Sequence, residues 1–247
     1  MSTTKRLREL LAQERTLMAM GAYDAFSAKL IARAGIDLAY LSGYLTSATF
    51  LGLPDLGVMT ATERLAIAHQ MARSVDIPVI ADLEQGYGNA INVMRSVEEF
   101  ERAGIAGVHL DDEVMPSKDQ FYDSFEPNQL ISISEMCKKI RAAVRARRDA
   151  DFVIMARSDV LGTVKPGAVP KEQLVQEIIE RGNAYAEAGA ELIFVYAQNT
   201  EELERYAREI HAPLVGVLGF IAPLRMADFQ ALGYKIGAFE FQRLRAK

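Results

Sequence analysis

Four stretches of the chain share one grammar: IARAGIDLAYLSG, FERAGIAGVHLDD, YAEAGAELIFVYA and FQALGYKIGAFEF. Each begins as the end of a helix, passes a glycine (Gly35, Gly104, Gly189, Gly233) and becomes an apolar strand. Glycine there suits the left-handed residue that closes a helix. Helices that keep turning into continuously apolar strands imply a parallel sheet covered on both faces. The glycines lie 69, 85 and 44 residues apart. A strand–helix unit with its loops takes about 35–45 residues when eight share a barrel of usual size, so the first two gaps hold two units each. The skipped strands are IPVIADLE and DFVIMARSD, with APLVGVL in the last gap and TLMAMGAYD before the first. Eight strands are therefore expected, starting near residues 16, 37, 77, 106, 151, 191, 213 and 235. Between them, Leu174, Val175, Ile178, Ile179 and Tyr185 recur at helical spacing, and Ser132 with Glu135 forms a capping box before MCKKIRAAVRA. The expectation is an α/β fold, a TIM-type (β/α)8 barrel forming a single domain over residues 1–247. The alternative is an open doubly wound sheet.

The N-terminal MSTTKRLRELLAQERTLM lacks the apolar core of a signal peptide and reads as an amphipathic helix with Leu7, Leu10 and Leu11 on one face. The net charge of −5 gives no electrostatic reason for nucleic-acid binding, and no apolar run approaches a membrane span. Cys137 is the single cysteine, so no intrachain disulfide can form and a reducing cytoplasm is expected. It reads as a small buried residue.

A barrel carries its chemistry at the C-terminal ends of its strands. Those ends read Asp24, Ser42-Gly43, Asp82 and Glu84, Asp111 and Asp112, Arg157 and Asp159, then Tyr196 and Gln198. Carboxylates brought together raise one another's pKa unless a cation neutralises them. Hard oxygen donors point to Mg2+ or Mn2+ rather than zinc. His109 lies within a strand and reads as a packed side chain, not a ligand. Arg157 can take a carboxylate or phosphonate in a two-pronged grip. The alternative for these acids is that they cap helices and pair with rim cations.

The segments GAYDAFSAKLIARAG, LSGYLTSATFLGLPDLG, VIADLEQGYGNAINVMRSVEEFERAGIAGVHLDD and DFVIMARSD resemble the isocitrate lyase/phosphoenolpyruvate mutase superfamily, over about residues 5 to 240. The resemblance implies a barrel, Mg2+, and cleavage or formation of C–C or P–C bonds in 2-oxo acids or their phosphonate relatives. Its DLG aspartate matches Asp55, its Asp-x-Asp pair Asp82 and Glu84, and its Glu-Asp pair Asp111 and Asp112. The implied metal residues are Asp55, Asp82, Glu84 and Asp111. The implied substrate contacts are Ser42 and Gly43 at the oxo-acid end and Arg157, with Tyr40 and Tyr196 as further substrate-binding candidates. The family also implies a homo-oligomer.

The resemblance breaks in the loop after the fourth strand. Lyases of the group carry Lys-Lys/Arg-Cys-Gly-His there, and the mutases and hydrolases keep a lysine and an asparagine. This chain has PSKDQFYDSFEPN, with Ser117, Asp119 and Phe121 at the first lysine, the cysteine and the histidine. Asp119 cannot stand in for a thiol acid, because a carboxylate with a reference pKa of about 3.9 is ionised near neutral pH. That argues against isocitrate or 2-methylisocitrate lyase activity. Lys118, Asp119 and Tyr122 are the candidates for proton transfer, and residues 116–129 are expected to form a lid. Tyr196 stands where the family has a glutamate and Val217 where it often has an asparagine. The helical region after the eighth strand is expected to be truncated, leaving apolar wall near the first and last strands for the N-terminal helix and a second subunit to cover. The expected function is a Mg2+-dependent lyase-like reaction on a small 2-oxo acid or dicarboxylate. A P–C bond mutase or hydrolase and a catalytically silent barrel are the alternatives.

Overall fold

Strand-forming residues alternate faces along the chain, and here both faces are apolar. In the computed structural model, which describes residues 1–115, 129–162, 168–218 and 224–239, the eight expected strands are all present. They are β1 (Leu17–Ala22), β2 (Leu38–Leu41), β3 (Val79–Asp82), β4 (Gly107–Asp111), β5 (Val153–Ser158), β6 (Leu192–Val195), β7 (Leu214–Leu218) and β8 (Ile236–Phe239). Each pairs in parallel with the next, and β8 returns to β1 through Leu17↔Ile236 and Ala19↔Ala238, closing a barrel. Closure removes the open doubly wound alternative. The eighth-strand C-terminal region, residues 240–247, lies outside the described residues.

Helices wrap the wall: α1 (Thr3–Leu11), α2 (Ala25–Arg33), α3 (Gly43–Thr46), α4 (Ala61–Ala72), α5 (Ala90–Arg102), α6 (Ile133–Ala146), α7 (Lys171–Glu187), α8 (Thr200–Glu209) and α9 (Met226–Ala231). Their ends follow local chemistry. Thr60 and Glu63 form a capping box at α4, Asn89 caps α5, and Ser132 accepts from Glu135 N at α6. Outward-facing Ala39, Ala81, Val108, Leu110, Ile154 and Ile193 pack under these helices, in the same cluster as Met71, Val97, Ile140 and Ile178. Cys137 is buried in this layer, its thiol against the Ala184 carbonyl.

The barrel axis is filled by Leu17, Leu38, Tyr40, Ile80, Val153, Met155, Leu192, Phe194, Val215 and Ile236. Leu7 of α1 belongs to this inner stack. The helix crosses the N-terminal mouth, where Thr3, Arg6 and Arg8 donate to the carbonyls of Gly104, Asp76 and Asp151 in the turns before β4, β3 and β5. The expected cover for the outer wall is instead a plug for the bottom of the barrel. No helix among the described residues is long and apolar enough to cross a membrane.

Candidate active site

Side chains two apart on a strand share a face. Above the inner stack this alternation raises Ser42 over Tyr40, Asp82 over Ile80, Asp111 over His109, Arg157 over Met155 and Tyr196 over Phe194. The neighbouring strands bring these residues together at the C-terminal mouth. Arg157 Nη2 lies 2.6 Å from Asp111 Oδ2, its Nε donates to Asp159 at 2.8 Å, and its Nη1 is 3.9 Å from Asp82 Oδ2. The guanidinium also lies over the rings of Phe194 and Tyr196, 5.9 and 5.7 Å from their centroids. Of the residues expected at the site, Asp82, Asp111 and Tyr196 thus meet around the half-buried guanidinium of Arg157, and Tyr40 reaches the group through His109.

His109 is engaged at both nitrogens. Its Nε2 is 2.8 Å from the Tyr40 hydroxyl and its Nδ1 2.9 Å from Asp111 Oδ1. Beside an ionised Asp111, Nδ1–H donates to the carboxylate and Nε2 accepts from Tyr40. Burial pulls the imidazole down to about 4, so it stays neutral at neutral pH. Asp111 moves the opposite way. Burial pushes its carboxyl well above the usual range, Arg157 opposes that, and the charges of Asp82, Asp159 and Glu113 add to it. Burial also works against Asp82, but His109 once protonated in acid, the charges of Arg157 and Arg64 and the Glu84 N–H outweigh it and hold that carboxyl below its usual value.

The turn after β3 is wound tightly. Glu84 has φ 51° and Tyr87 φ 59°, in the left-handed region that non-glycine residues seldom occupy. Two bonds hold Glu84 there: its N–H donates to Asp82 Oδ1 at 2.8 Å, and its carbonyl accepts from Asp111 N at 2.9 Å. Such strain costs about 1–3 kcal/mol and collects at functional sites. Its side chain forms a buried ion pair with Arg64. Burial, with the charges of Asp82 and Asp55, pushes the Glu84 carboxyl upward, and the Arg64 guanidinium pulls it back toward the ionised form. Gly43 N donates to Asp82 Oδ2 at 3.2 Å, and Ser42 caps α3 through Leu45 N at 3.3 Å. Half-buried Asp55 accepts from Ser47 at 2.9 Å.

Asp112, next to Asp111, faces outward because the strand alternates. It accepts from Tyr185 at 2.7 Å, Ser158 Oγ at 3.1 Å, Asp159 N at 2.9 Å and Arg181 at 3.3 Å. It ties α7 to the ends of β4 and β5 and fixes the backbone that carries Asp159. Lys139 of α6 likewise reaches inward to the Gln85 carbonyl at 2.9 Å. Asp24 caps α2 through Ser27 N at 2.7 Å, which is the helix-capping role weighed for the strand-end acids. Arg64 and Arg181 had a sequence signal. Each stands in the apolar stripe of its helix, as Arg64-Ala68-Met71 and as Leu174-Ile178-Arg181-Tyr185. Lys118, Asp119 and Tyr122 lie outside the described residues, as does most of the expected lid.

Ligand atoms of Asp82, His109 and Asp111 all lie within 4.8 Å of one another, a grouping that can hold a metal ion. Since both imidazole nitrogens are engaged, the available donors are carboxylate oxygens. These suit a hard divalent cation, and the crowding that lifts Asp111 is the charge such an ion would relieve.

The family model described as phosphoenolpyruvate phosphomutase matches residues 7–238. A 2,3-dimethylmalate lyase of Eubacterium barkeri is 42% identical over 240 residues, covering 96% of this chain and 79% of the relative. The crystal structure of phosphoenolpyruvate phosphomutase from Streptomyces platensis subsp. rosaceus superposes with a TM-score of 0.87 at 34% identity, covering 96% of this chain and 80% of that one. A phosphonopyruvate hydrolase complexed with oxalate and Mg2+ gives 0.84 at 31% identity, with 97% and 80% covered.

Proposed function

Because the chain belongs to the isocitrate lyase/phosphoenolpyruvate mutase superfamily, we propose that it is a divalent-metal-dependent lyase that cleaves or forms a C–C bond in a short dicarboxylate of the 2-alkylmalate or 2-oxo acid class. The observation that carries this is Arg157 beside Asp111 and Asp82, one guanidinium for a substrate carboxylate next to a carboxylate pair for a cation. The name of the 42% identical relative supports the dicarboxylate.

In the cleavage direction, a 2-hydroxy dicarboxylate gives up its hydroxyl proton and C2 becomes a carbonyl. The C2–C3 pair moves onto C3 and its neighbouring carboxylate, and C3 then takes a proton. Mg2+ or Mn2+, held by Asp82 and Asp111 with Asp55 as outer support, would supply Lewis-acid charge for the oxygen that becomes anionic. Ser42 and Gly43 border Asp82 and take the oxo-acid end. Arg157 takes the other carboxylate, which competes for the guanidinium with Asp111 and Asp159. Tyr40 and His109 hold Asp111 from below and fix its orientation. Phe194 and Tyr196 wall the guanidinium from water, which strengthens its grip. Lys118, Asp119 and Tyr122 are the proposed candidates for proton transfer, between them taking the hydroxyl proton and returning one to C3.

The test is a Mg2+-dependent assay on 2-oxo acids, 2-alkylmalates and phosphonopyruvate. Cleavage of a 2-alkylmalate, lost in Arg157→Met, is the expected result. Turnover of phosphonopyruvate alone would transfer the site to P–C chemistry, and no turnover of any of them would leave a binding barrel.

A further inference from the structure

Arg64 is a charged residue in the stripe through which α4 packs on the barrel, and it is fully buried. Its Nη1 donates to Thr46 Oγ1 at 3.0 Å, its Nη2 is ion-paired with Glu84, and its Nε has no hydrogen-bond partner among the described residues. A buried arginine persists only where its charge is answered, and Glu84 answers it. A Cβ built on Gly43 would lie 2.5 Å from Asp82 Oδ2 and 3.1 Å from both Arg64 Nη1 and Glu84 Oε1. The guanidinium, both carboxylates and the Ser42–Gly43 backbone therefore meet around one point.

Resting on the reading that a divalent cation binds at Asp82 and Asp111, we infer that Arg64 is a resident counter-cation that withholds Glu84 from that ion and sets its affinity. Two effects act in the same direction. The ion pair occupies an oxygen that a hard cation could use. A fixed positive charge also opposes the arrival of another in a buried site, where screening by water is weak. The acid that lies one methylene longer than the family's pattern is thus paired with a cation from the helix behind it. Arg64 is a positioning residue: it acts on the ion through Glu84.

The experiment titrates Mn2+ alone into the full chain, read by calorimetry and by the shift in thermal unfolding. Wild type against Asp82→Asn judges the metal reading, which fails if the two bind equally. Arg64→Met judges the inference. It should bind Mn2+ at least about tenfold tighter than wild type, because a like charge is gone and Glu84 is freed. Arg64→Met/Glu84→Gln, which removes both partners, should return to within about threefold of wild type. A loss of fold alone would leave affinity lower, not higher. If Arg64→Met is unfolded without metal because Glu84 is stranded, recovery of a cooperative transition with Mn2+ supports the inference, since the ion then replaces the guanidinium. If wild type binds no Mn2+ and Arg64→Met does, the metal reading fails for the native chain and the inference stands. Binding in Arg64→Met that is no tighter than in wild type overturns it. So does failure of Mn2+ to restore folding, or a double variant outside that range.

Discussion

At the scale of single residues, Gly43 has little freedom to change. Its missing Cβ leaves the space in which Asp82 Oδ2 sits, 2.5 Å from where that carbon would be. Gly43→Ala should therefore displace the Asp82 carboxylate, at about 1–3 kcal/mol in folding free energy. Misplacement of a reacting group by about 1 Å can lower kcat/KM by about 100-fold, and that drop is expected here. Steady-state kinetics and urea unfolding on the same variant check both numbers, and unchanged kinetics would mean that Asp82 does not act at the mouth. The strand-end acids were legible because period-two alternation and the barrel rule act locally. The same alternation separates Asp111, which faces the mouth, from Asp112, which faces α7. That separation depends on where β4 begins, which a sequence locates only to within a few residues. The partners of these acids were harder to see. Arg64 meets Glu84 across 20 residues and Arg181 meets Asp112 across 69, and only their places in apolar stripes betray them.

Among the elements, α1 shows what an amphipathic pattern conveys and what it omits. Leu7, Leu10 and Leu11 mark a buried face correctly, but the pattern carries no information about the surface it meets. Backbone carbonyls at the barrel bottom decide that, together with an ion-pair clamp. Glu191, just before β6, binds both Arg8 of α1 and Arg147 at the end of α6. Burial alone would raise its carboxyl, yet the hydrogen bonds and charges of the two arginines hold it below its ordinary value. A carboxyl depressed by folding stabilises above its unfolded pKa, and the contribution fades as the pH falls through the folded value. Glu191→Gln should thus cost about 1 kcal/mol near neutral pH, a partly exposed network being worth no more. The difference from wild type should close below the acidic range of an ordinary carboxylate, at about pH 4 and under. Denaturant titrations at neutral and acidic pH measure it. A gap that persists in acid would assign the effect to packing.

For the molecule as a whole, the order of eight strands was legible because four units announce themselves through a glycine-closed helix within a dozen residues and the other four strands stand out as apolar runs around and between them. Closure was an inference from counting, and it rests physically on β8 finding β1. The outer surface keeps Phe26 and Leu30 on one face of α2, 67% and 53% exposed, and Phe50 in the segment after α3, 58% exposed. Large apolar residues left in water mark contact surfaces. We expect this chain to self-associate, as light scattering over a dilution series would show, and a monomer at every concentration would refute it. Closure also has a consequence in time. The second edge of β1 has no partner until β8 emerges from the ribosome. At about 5–20 residues per second, the stretch from Ala22 to Ile236 leaves that edge open for roughly 10–45 seconds. Throughout that window the nascent chain carries an adhesive strand, so its yield in the cell will depend on how well that edge is chaperoned before the last strand arrives.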